Sequence, residues 1–515
     1  MDRGGKVLSI VSFYFFVFVA VVVGIYYIIP RTNRWIPLLL GSAVFIIISS
    51  SWKMYIIFLT QVILAYVGAW LLYKNLKQSR LICGIAIALE IGTLIILKDS
   101  SFFIINYRYI LRLLGKPRQI PFLKIAAPLA ISYYTLMLVS YILDVYWRKI
   151  EPEKNPLKLL LYAGFFPQMI AGPISRYSKT AAELWEGHCF NYDNFCFGIQ
   201  RFLWGLFKKL VLAERLGTIV TSIYTGGLEG TSTPVGSYIW IGAVAYVFQL
   251  YTDFSGGMDI VLGTAQLFGI VLPENFRTPF YSTSMSELWR RWHITLGLWL
   301  KDYIMFPFLK SRPAAKFRAF CQKQFGKKAA KTVPTYLGTF LVWFCCGFWH
   351  GGTYKWIFWG LCTFVIIVGG MVLQPFFNKL QVLLRVNTEA ESWILFGRLR
   401  TFLLFTIACS VQPADSLMSA LKMWKNAFVY NPWVFVDGSL YQLGLDRLDF
   451  WVMIFGLMVL FVVSKYQQRG SVREIIARQN LAFRWILWIG LLMAVLIFGM
   501  YGEGYNPADF IYGGF

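Results

Sequence analysis

The sequence predicts an all-α protein that crosses a membrane many times. Of its 515 residues, 57% are hydrophobic and 18% aromatic, and only 14% are charged. A soluble domain carries about 25% charged residues, so this balance is typical of a polytopic membrane protein. We expect about 11–12 transmembrane helices, with re-entrant and amphipathic helices, around a central cavity. One domain is expected to cover residues 1–515.

Twelve hydrophobic runs support this prediction. They cover residues 7–29, 35–50, 54–74, 80–98, 122–146, 203–224, 237–252, 334–349, 354–374, 401–412, 450–464 and 485–501. Several are shorter than the roughly 20 residues that a spanning helix needs, so their limits must extend into flanking residues. The first run is long enough to span, and no small-residue cleavage site precedes the next, which argues against a removed signal peptide.

Two further apolar stretches are interrupted. Residues 158–174 contain two glycines and two prolines, and residues 258–271 are short and stop before Pro273. Backbone that leaves its helix at membrane depth must be covered by protein or by a water-filled cavity. Both stretches are therefore predicted to be re-entrant.

The charged residues follow the pattern of a membrane protein. The net charge is +24, and the basic residues fall in short segments between hydrophobic runs, which argues against nucleic-acid binding. Residues 310–331 hold eight basic and no acidic residues, and residues 465–478 hold four basic and one acidic. Both are predicted to be cytoplasmic loops. The eight cysteines form no Cys-x-x-Cys pair, so we expect neither a disulfide framework nor a metal site.

Residues 284–303 are predicted to form one amphipathic helix at the cytoplasmic face. Ser284 and Glu287 have the spacing of a capping box. An apolar stripe then recurs at helical spacing, at Leu288, Trp292, Leu296, Trp299 and Tyr303. Charged residues lie on the opposite side of the helix. The structural interpretation of its arginines is that they reach to the membrane surface and have no part in catalysis.

Two of the three histidines, His293 and His350, stand beside tryptophans in apolar surroundings. A titratable ring next to a hydrocarbon-spanning run costs free energy, so each is a functional candidate. Histidine is also the side chain best suited to move a proton near neutral pH. The alternative for each is an inert ring that hydrogen-bonds a carbonyl group.

Four elements between residues 132 and 352 resemble the membrane-bound O-acyltransferase family, in particular its bacterial branch that modifies alginate and teichoic acid. They are SYYTLMLVSYILDVY at 132–146, FFPQMIAGPISR at 165–176, DFSGGMD at 253–259, and PENF at 273–276, which leads to WRRWH at 289–293 and WHG at 349–351. Gly257 and Met258 depart from the usual Tyr-Ser of the third element. The resemblance implies a family-like core at 132–352 and a C-terminal helical extension at 398–515.

The resemblance also implies the roles of particular residues. His350 is expected to be catalytic, as the general base, and His293 to act on the donor side. The candidates for substrate binding are Asp253, Ser255, Asn275, Arg290, Arg291 and Trp349. For Asp253, Asn275 and Arg291, a structural hydrogen bond or ion pair is the alternative. A serine acyl-enzyme has no support, because no Gly-x-Ser-x-Gly elbow is present.

The implied reaction passes an acyl group, expected to be acetyl, from a cytoplasmic thioester to a hydroxyl outside the bacterial cell membrane. The donor is expected to be acetyl-CoA or an acyl-carrier phosphopantetheine thioester, with no tightly bound cofactor. The acceptor is a cell-envelope polysaccharide or a membrane-anchored partner protein. D-alanyl transfer to teichoic acid, a transporter and a scaffold subunit are alternatives. A transporter should show repeated halves, and a scaffold should tolerate the loss of both histidines.

Overall fold

The computed structural model describes residues 8–123, 127–225 and 234–501. Within these ranges the regular elements are helices, which confirms the all-α prediction. In chain order they are α1 (Phe13–Ile28), α2 (Trp35–Ser49), α3 (Trp52–Lys74), α4 (Ser79–Leu94), α5 (Ser100–Leu113), α6 (Ile131–Tyr146), α7 (Pro156–Gly164), α8 (Gln168–Ala171), α9 (Tyr177–Trp185), α10 (Tyr192–Leu206), α11 (Glu214–Tyr224), α12 (Ser237–Leu267), α13 (Met285–Arg291), α14 (Ile294–Leu300), α15 (Phe306–Lys310), α16 (Arg312–His350), α17 (Tyr354–Leu383), α18 (Glu391–Cys409), α19 (Leu417–Asn426), α20 (Arg447–Gln467), α21 (Val472–Ala477) and α22 (Leu481–Phe498).

Eight helices in the described ranges are long and apolar enough to cross a membrane. They are Arg31–Ser49, Trp52–Lys74, Leu76–Leu113, Arg312–His350, Tyr354–Leu383, Glu391–Cys409, Arg447–Gln467 and Leu481–Phe498. Two further apolar helices, α1 and α6, have 16 residues each and match the predicted runs at 7–29 and 122–146. At 1.5 Å per residue they rise about 24 Å, slightly less than the roughly 30 Å hydrocarbon core.

The chain divides into two compact units. The first is drawn from Met1–Lys209, Asp253–Pro273 and Leu481–Phe515, and the second from Leu210–Thr252 and Glu274–Asn480. The division falls inside α12 and inside a π-helical stretch, Phe207–Ala213, that continues α10 into α11.

In the first unit, the prediction that residues 258–271 form a separate re-entrant segment is wrong. Residues 258–267 continue the preceding run as the last ten residues of α12, a helix of 31 residues, and 268–271 follow its end. Glycines let α10 and α12 approach backbone to backbone. A Cβ atom on Gly205 would lie 2.6 Å from the carbonyl oxygen of Gly256, and one on Gly198 would lie 2.9 Å from that of Gly263. Small residues allow such close packing between membrane helices.

The predicted interruption at 158–174 is present in the first unit. Helix α7 ends at Gly164, and the short helix α8 follows Pro167. The Gln168 side chain donates to the carbonyl oxygen of Pro173, at 3.3 Å, and to the Ser175 hydroxyl, while the Tyr162 hydroxyl donates to the Ser175 carbonyl oxygen. In this buried turn, side chains therefore hydrogen-bond the backbone carbonyl groups of Pro173 and Ser175, which the break in the helix leaves without helical partners.

In the second unit, α16 and α17 form a tightly packed hairpin. A Cβ atom on Gly347 would lie 2.5 Å from the carbonyl oxygen of Trp356, and one on Gly360 would lie 2.3 Å from that of Trp343. Only glycine fits where two helix backbones come this close. This packing places the last turn of α16, which ends at His350, against the first turns of α17.

The basic segment 310–331 is helical, so the prediction of a loop is wrong. Ser311 caps the N-terminus of α16, where its hydroxyl accepts a hydrogen bond from the backbone N–H of Ala314 at 3.3 Å. The helix is kinked at Gly326, which has φ 82° and ψ 176°, a conformation essentially restricted to glycine. The segment is rich in residues that favour helices, such as Lys, Gln and Ala. The prediction of a loop rested on charge alone and did not take this preference into account.

Candidate active site

The expected single amphipathic helix at 284–303 is wrong, because the chain leaves the helix at His293. Helix α13 ends at Arg291, Trp292 is extended, and His293 has a left-handed backbone with φ 46° and ψ 49° before α14 begins. A neighbouring segment causes the break. Phe276 and Trp292 form an antiparallel bridge, the Arg277 N–H donates to the Arg291 carbonyl oxygen, and the Ile294 N–H donates to the Asn275 carbonyl oxygen. These bonds replace the helical ones that the periodicity predicted.

The predicted capping box is half present. The Ser284 hydroxyl accepts from the Glu287 N–H at 3.3 Å, as the motif requires. The Glu287 carboxylate binds one residue earlier than expected, accepting from the N–H and the hydroxyl of Thr283 at 2.9 and 3.1 Å. It also pairs with Arg291 at 2.6 Å. These hydrogen bonds and the charge of Arg291 outweigh the effect of burial and lower the pKa of Glu287, although burial is the largest single influence and acts in the opposite direction.

Asn275 organises the turn around His293. Its side-chain oxygen accepts from the N–H and the hydroxyl of Thr295, at 3.0 and 2.9 Å. It therefore caps the N-terminus of α14, a task that the His293 side chain does not perform. The same oxygen lies 3.3 Å from Nδ1 of His293. Asn275 thus holds both the helix start and the imidazole ring.

This contact determines the tautomer of His293. Because an amide oxygen only accepts, Nδ1 must carry the proton, and Nε2 then carries the lone pair. His293 lies outside the eight candidate spans and is 4% exposed. Burial lowers its pKa from 6.5 to about 3. The ring is therefore neutral across the physiological pH range.

His350 lies in a box of tryptophan rings. Its ring centroid is 4.9 Å from Trp349, 5.4 Å from Trp356 and 5.1 Å from Trp359, and it stacks on Trp356 with an interplanar angle of 23°. The side chain is buried, with 2% exposed. A Cβ atom on Gly351 would lie 2.6 Å from Cδ1 of Trp356, so only a glycine at this position leaves room for the indole ring. Three tryptophan rings thus surround the His350 imidazole, and one of them, Trp356, lies face to face with it.

Trp349 joins the two histidines in one site. Its ring centroid lies 6.1 Å from that of His293 and 4.9 Å from that of His350. The structure therefore brings together His293, His350, Trp349 and Asn275, all in the second unit. The sequence prediction missed Trp356, Trp359 and Thr295, although the tryptophans that follow His350 at helical spacing could have indicated the box.

The two arginines lie differently. Arg290 is exposed, and Arg291 is half-buried and pairs with Glu287. Arg291 also donates to the hydroxyl of Thr278 at 3.3 Å. Arg291 thus makes the structural ion pair that stood as the alternative to substrate binding.

Asp253 and Ser255 lie in the first unit, in a buried polar cluster on α12 and the end of α10. Lys209 pairs with Asp253 at 2.6 Å, and Lys208 contacts Asp259 at 2.6 Å and the Ser255 hydroxyl at 2.9 Å. Both lysines are 3% exposed and lie on the π-helical stretch. The sequence prediction missed them, although two adjacent lysines inside the apolar run 203–224 were a signal.

Metal ligands do not gather in the described part of the chain. No group of three His, Cys, Asp or Glu side chains there is arranged to hold a metal ion.

The sequence matches a known family over part of its length. Residues 153–321 match the family described as MBOAT, membrane-bound O-acyltransferase family. This region contains the broken α7–α8 segment, Asp253, Asn275 and His293, and it ends before His350.

Several bacterial proteins are similar to this chain over longer stretches. A probable alginate O-acetylase AlgI from Pseudomonas aeruginosa is 28% identical over 434 residues, which cover 82% of this chain and 74% of the relative. A peptidoglycan O-acetyltransferase from Helicobacter pylori is 28% identical over 64% of this chain and 61% of its own length. A teichoic acid D-alanyltransferase from Bacillus subtilis is 27% identical over 49% of this chain and 60% of its own length. With its candidate membrane spans, the chain is a multi-pass protein of the cell membrane and a membrane-bound O-acyltransferase that carries a domain matching the MBOAT family at residues 153–321.

Proposed function

We propose that the protein transfers an acetyl group from a cytoplasmic thioester donor to hydroxyl groups of a cell-envelope polysaccharide, or of a partner protein, outside the membrane. The donor is acetyl-CoA or an acyl-carrier phosphopantetheine thioester. The observation that carries this proposal is that His293 and His350 both contact the ring of Trp349 within a buried aromatic site. Such a site holds two imidazoles close to one reacting group and away from water.

The reaction needs a base for the acceptor hydroxyl but consumes no net proton. The hydroxyl oxygen attacks the thioester carbonyl, a C–O bond forms, and the C–S bond breaks. His350 takes the hydroxyl proton and returns it to the leaving thiolate. The imidazolium that forms between these steps is stabilised by the face of Trp356, on which the ring stacks.

His293 is suited to bind the donor rather than to transfer the proton. Its ring is neutral, because burial lowers its pKa to about 3. With Nδ1 donating to Asn275, Nε2 is a hydrogen-bond acceptor. A phosphopantetheine arm carries amide N–H groups that could donate to it. Both candidate donors contain this arm, so the proposal holds for either.

The comparisons support acetyl as the transferred group. The relatives named for O-acetylation match 82% and 64% of this chain, whereas the D-alanyltransferase matches 49%. D-alanyl transfer to teichoic acid is the alternative. A donor-competition assay distinguishes acetyl from D-alanyl transfer. The D-alanyl group carries an ammonium beside its carbonyl, and the donor site must either accept or exclude that charge.

The proposal is tested by replacing His350 in the full-length protein reconstituted in membranes. We expect His350→Ala to lower acetyl transfer from a labelled thioester to oligosaccharide by about 10²–10⁴-fold, since it removes a general base. Expression and membrane insertion should be unchanged. The matched control is His188→Gln, because His188 lies in the first unit and contacts the Glu183 carbonyl oxygen at 2.8 Å. Near-native transfer by His350→Ala would overturn the proposed role.

A further inference from the structure

Helix α16 is too long to lie wholly within a membrane. Its 39 residues extend about 58 Å at 1.5 Å per residue, against a hydrocarbon core of about 30 Å. The apolar half ends at His350, so the basic half, which contains residues 312–325, lies outside the hydrocarbon. The kink at Gly326 separates the two halves.

The basic half of α16 has a basic face with one aromatic residue beside it. Arg312, Lys316 and Lys323 recur at spacings of four and seven residues and share this face. Phe320, four residues after Lys316 and three before Lys323, is their neighbour on the helix, whereas Phe325 lies on the other side. Phe320 and Phe325 are 53% and 70% exposed, although phenylalanine is usually buried. Within residues 312–325, only Ala314 and Cys321 are buried, and Phe317 is half-buried. Most of the helix surface is thus open.

The N-terminal end of this helix is held by the protein. Arg318 donates to the carbonyl oxygen of Leu309, at 3.2 Å, and Ser311 caps the first turn. The helix is therefore fixed on one narrow side and presents its charged and aromatic sides outward. Helices with a basic face beside exposed aromatic residues bind the surface of membranes that contain anionic lipids.

We propose that residues 312–325 of α16 lie along the cytoplasmic membrane surface and bind the headgroups of anionic phospholipids. Arg312, Lys316 and Lys323 contact the phosphates, and Phe320, their neighbour on the helix, enters the boundary between headgroups and acyl chains. Two observations select lipid over an acidic protein. The exposed Phe320 supplies an apolar contact that charge pairing does not require, and the Gly326 kink frees this half to run at an angle to the span. The inference is independent of the acyl-transfer chemistry.

The test measures hydrogen exchange of the full-length protein in nanodiscs of phosphatidylcholine alone, or with about one third phosphatidylglycerol. We expect amide exchange across residues 312–325 to slow by at least about tenfold in the anionic discs, and to recover at high salt. Replacing Arg312, Lys316 and Lys323 with Gln should remove the lipid dependence. Replacing Phe320 with Ser should speed exchange in both kinds of disc, because the apolar contact is lost, and should leave a difference between the discs, because the charges remain.

The matched control removes charge elsewhere. Lys422→Gln with Lys425→Gln, both exposed on α19, should leave the lipid dependence at 312–325 intact. Equal exchange in the two kinds of disc would overturn the proposal. It would also be overturned if an acidic carrier protein, but not phosphatidylglycerol, slowed exchange in this segment.

Discussion

His293 combines a left-handed backbone with a pKa that burial lowers to about 3. A left-handed backbone is uncommon for residues other than glycine and is tolerated best by Asn, Asp and His. The break in the helix turns the imidazole toward Trp349 and Asn275. Periodicity could not predict this, because the hydrogen bonds that compete with the helix come from residues 275–277.

We predict that His293 makes the folded protein less stable in acid. Its pKa is about 3 when folded and near 6.5 when unfolded, so below pH 6.5 the unfolded chain binds the extra proton. Stability is therefore full above about pH 6.5 and falls as pH drops toward 3, by up to about 1.4 kcal/mol per pH unit. Thermal unfolding in detergent between pH 7 and pH 5 measures this slope.

The variant His293→Asn isolates the effect. Asparagine accepts the left-handed backbone but does not titrate, so its unfolding midpoint should depend less on pH than that of the wild type. Its stability at pH 7 should be lower as well, because the contact with Trp349 is lost. Identical pH slopes for the two proteins would contradict the prediction.

At the level of helices, a seam of glycines holds α12 close against α10. Gly198 and Gly205 face Gly263 and Gly256, with a spacing of seven residues on each helix. The sequence shows the glycines but not their pairing, because the paired glycines lie more than 50 residues apart in the sequence and packing sets their register. Local hydropathy therefore divided one helix into a span and a re-entrant segment.

We predict that Gly205→Ala destabilises the first unit by about 1–3 kcal/mol, because its Cβ atom would lie 2.6 Å from a carbonyl oxygen that cannot move aside easily. The control is Gly84→Ala on α4, where a Cβ atom meets nothing within 4 Å. That change should be neutral or stabilising by about 0.5–1 kcal/mol. Unfolding midpoints in detergent compare the two, and equal shifts would argue against the seam.

For the whole molecule, the distribution of charge sets the orientation in the membrane. The basic half of α16 and residues 465–478 carry the strongest excess of positive charge, which favours the cytoplasmic side. Under the proposed function, the thioester donor must reach the site from this side and the acceptor hydroxyl from the other.

We predict that transfer in sealed vesicles requires the donor on the side that exposes residues 312–325. Protease cleavage after the lysines of this segment reports the orientation of each preparation. An oligosaccharide trapped in the lumen should become acetylated only when donor is added to vesicles with this segment outside. Permeabilised vesicles serve as the control and should show no dependence on orientation. Acetylation in sealed vesicles of either orientation would contradict transfer across the membrane.

The sequence by itself determined the fold class, most of the candidate spans, the family resemblance and the two histidines, whereas the predicted runs at 203–224 and 237–252 are not among the eight candidate spans of the described residues. These follow from hydrophobicity summed along the chain and from short motifs, and both are local properties. Only the tertiary structure decided that Asn275 breaks the helix at His293, that Trp349 touches both histidines, and that the glycines of α10 and α12 pack against each other. Each of these depends on a hydrogen bond or a close contact between residues far apart in sequence, and such contacts outweigh local preference when they satisfy buried polar groups.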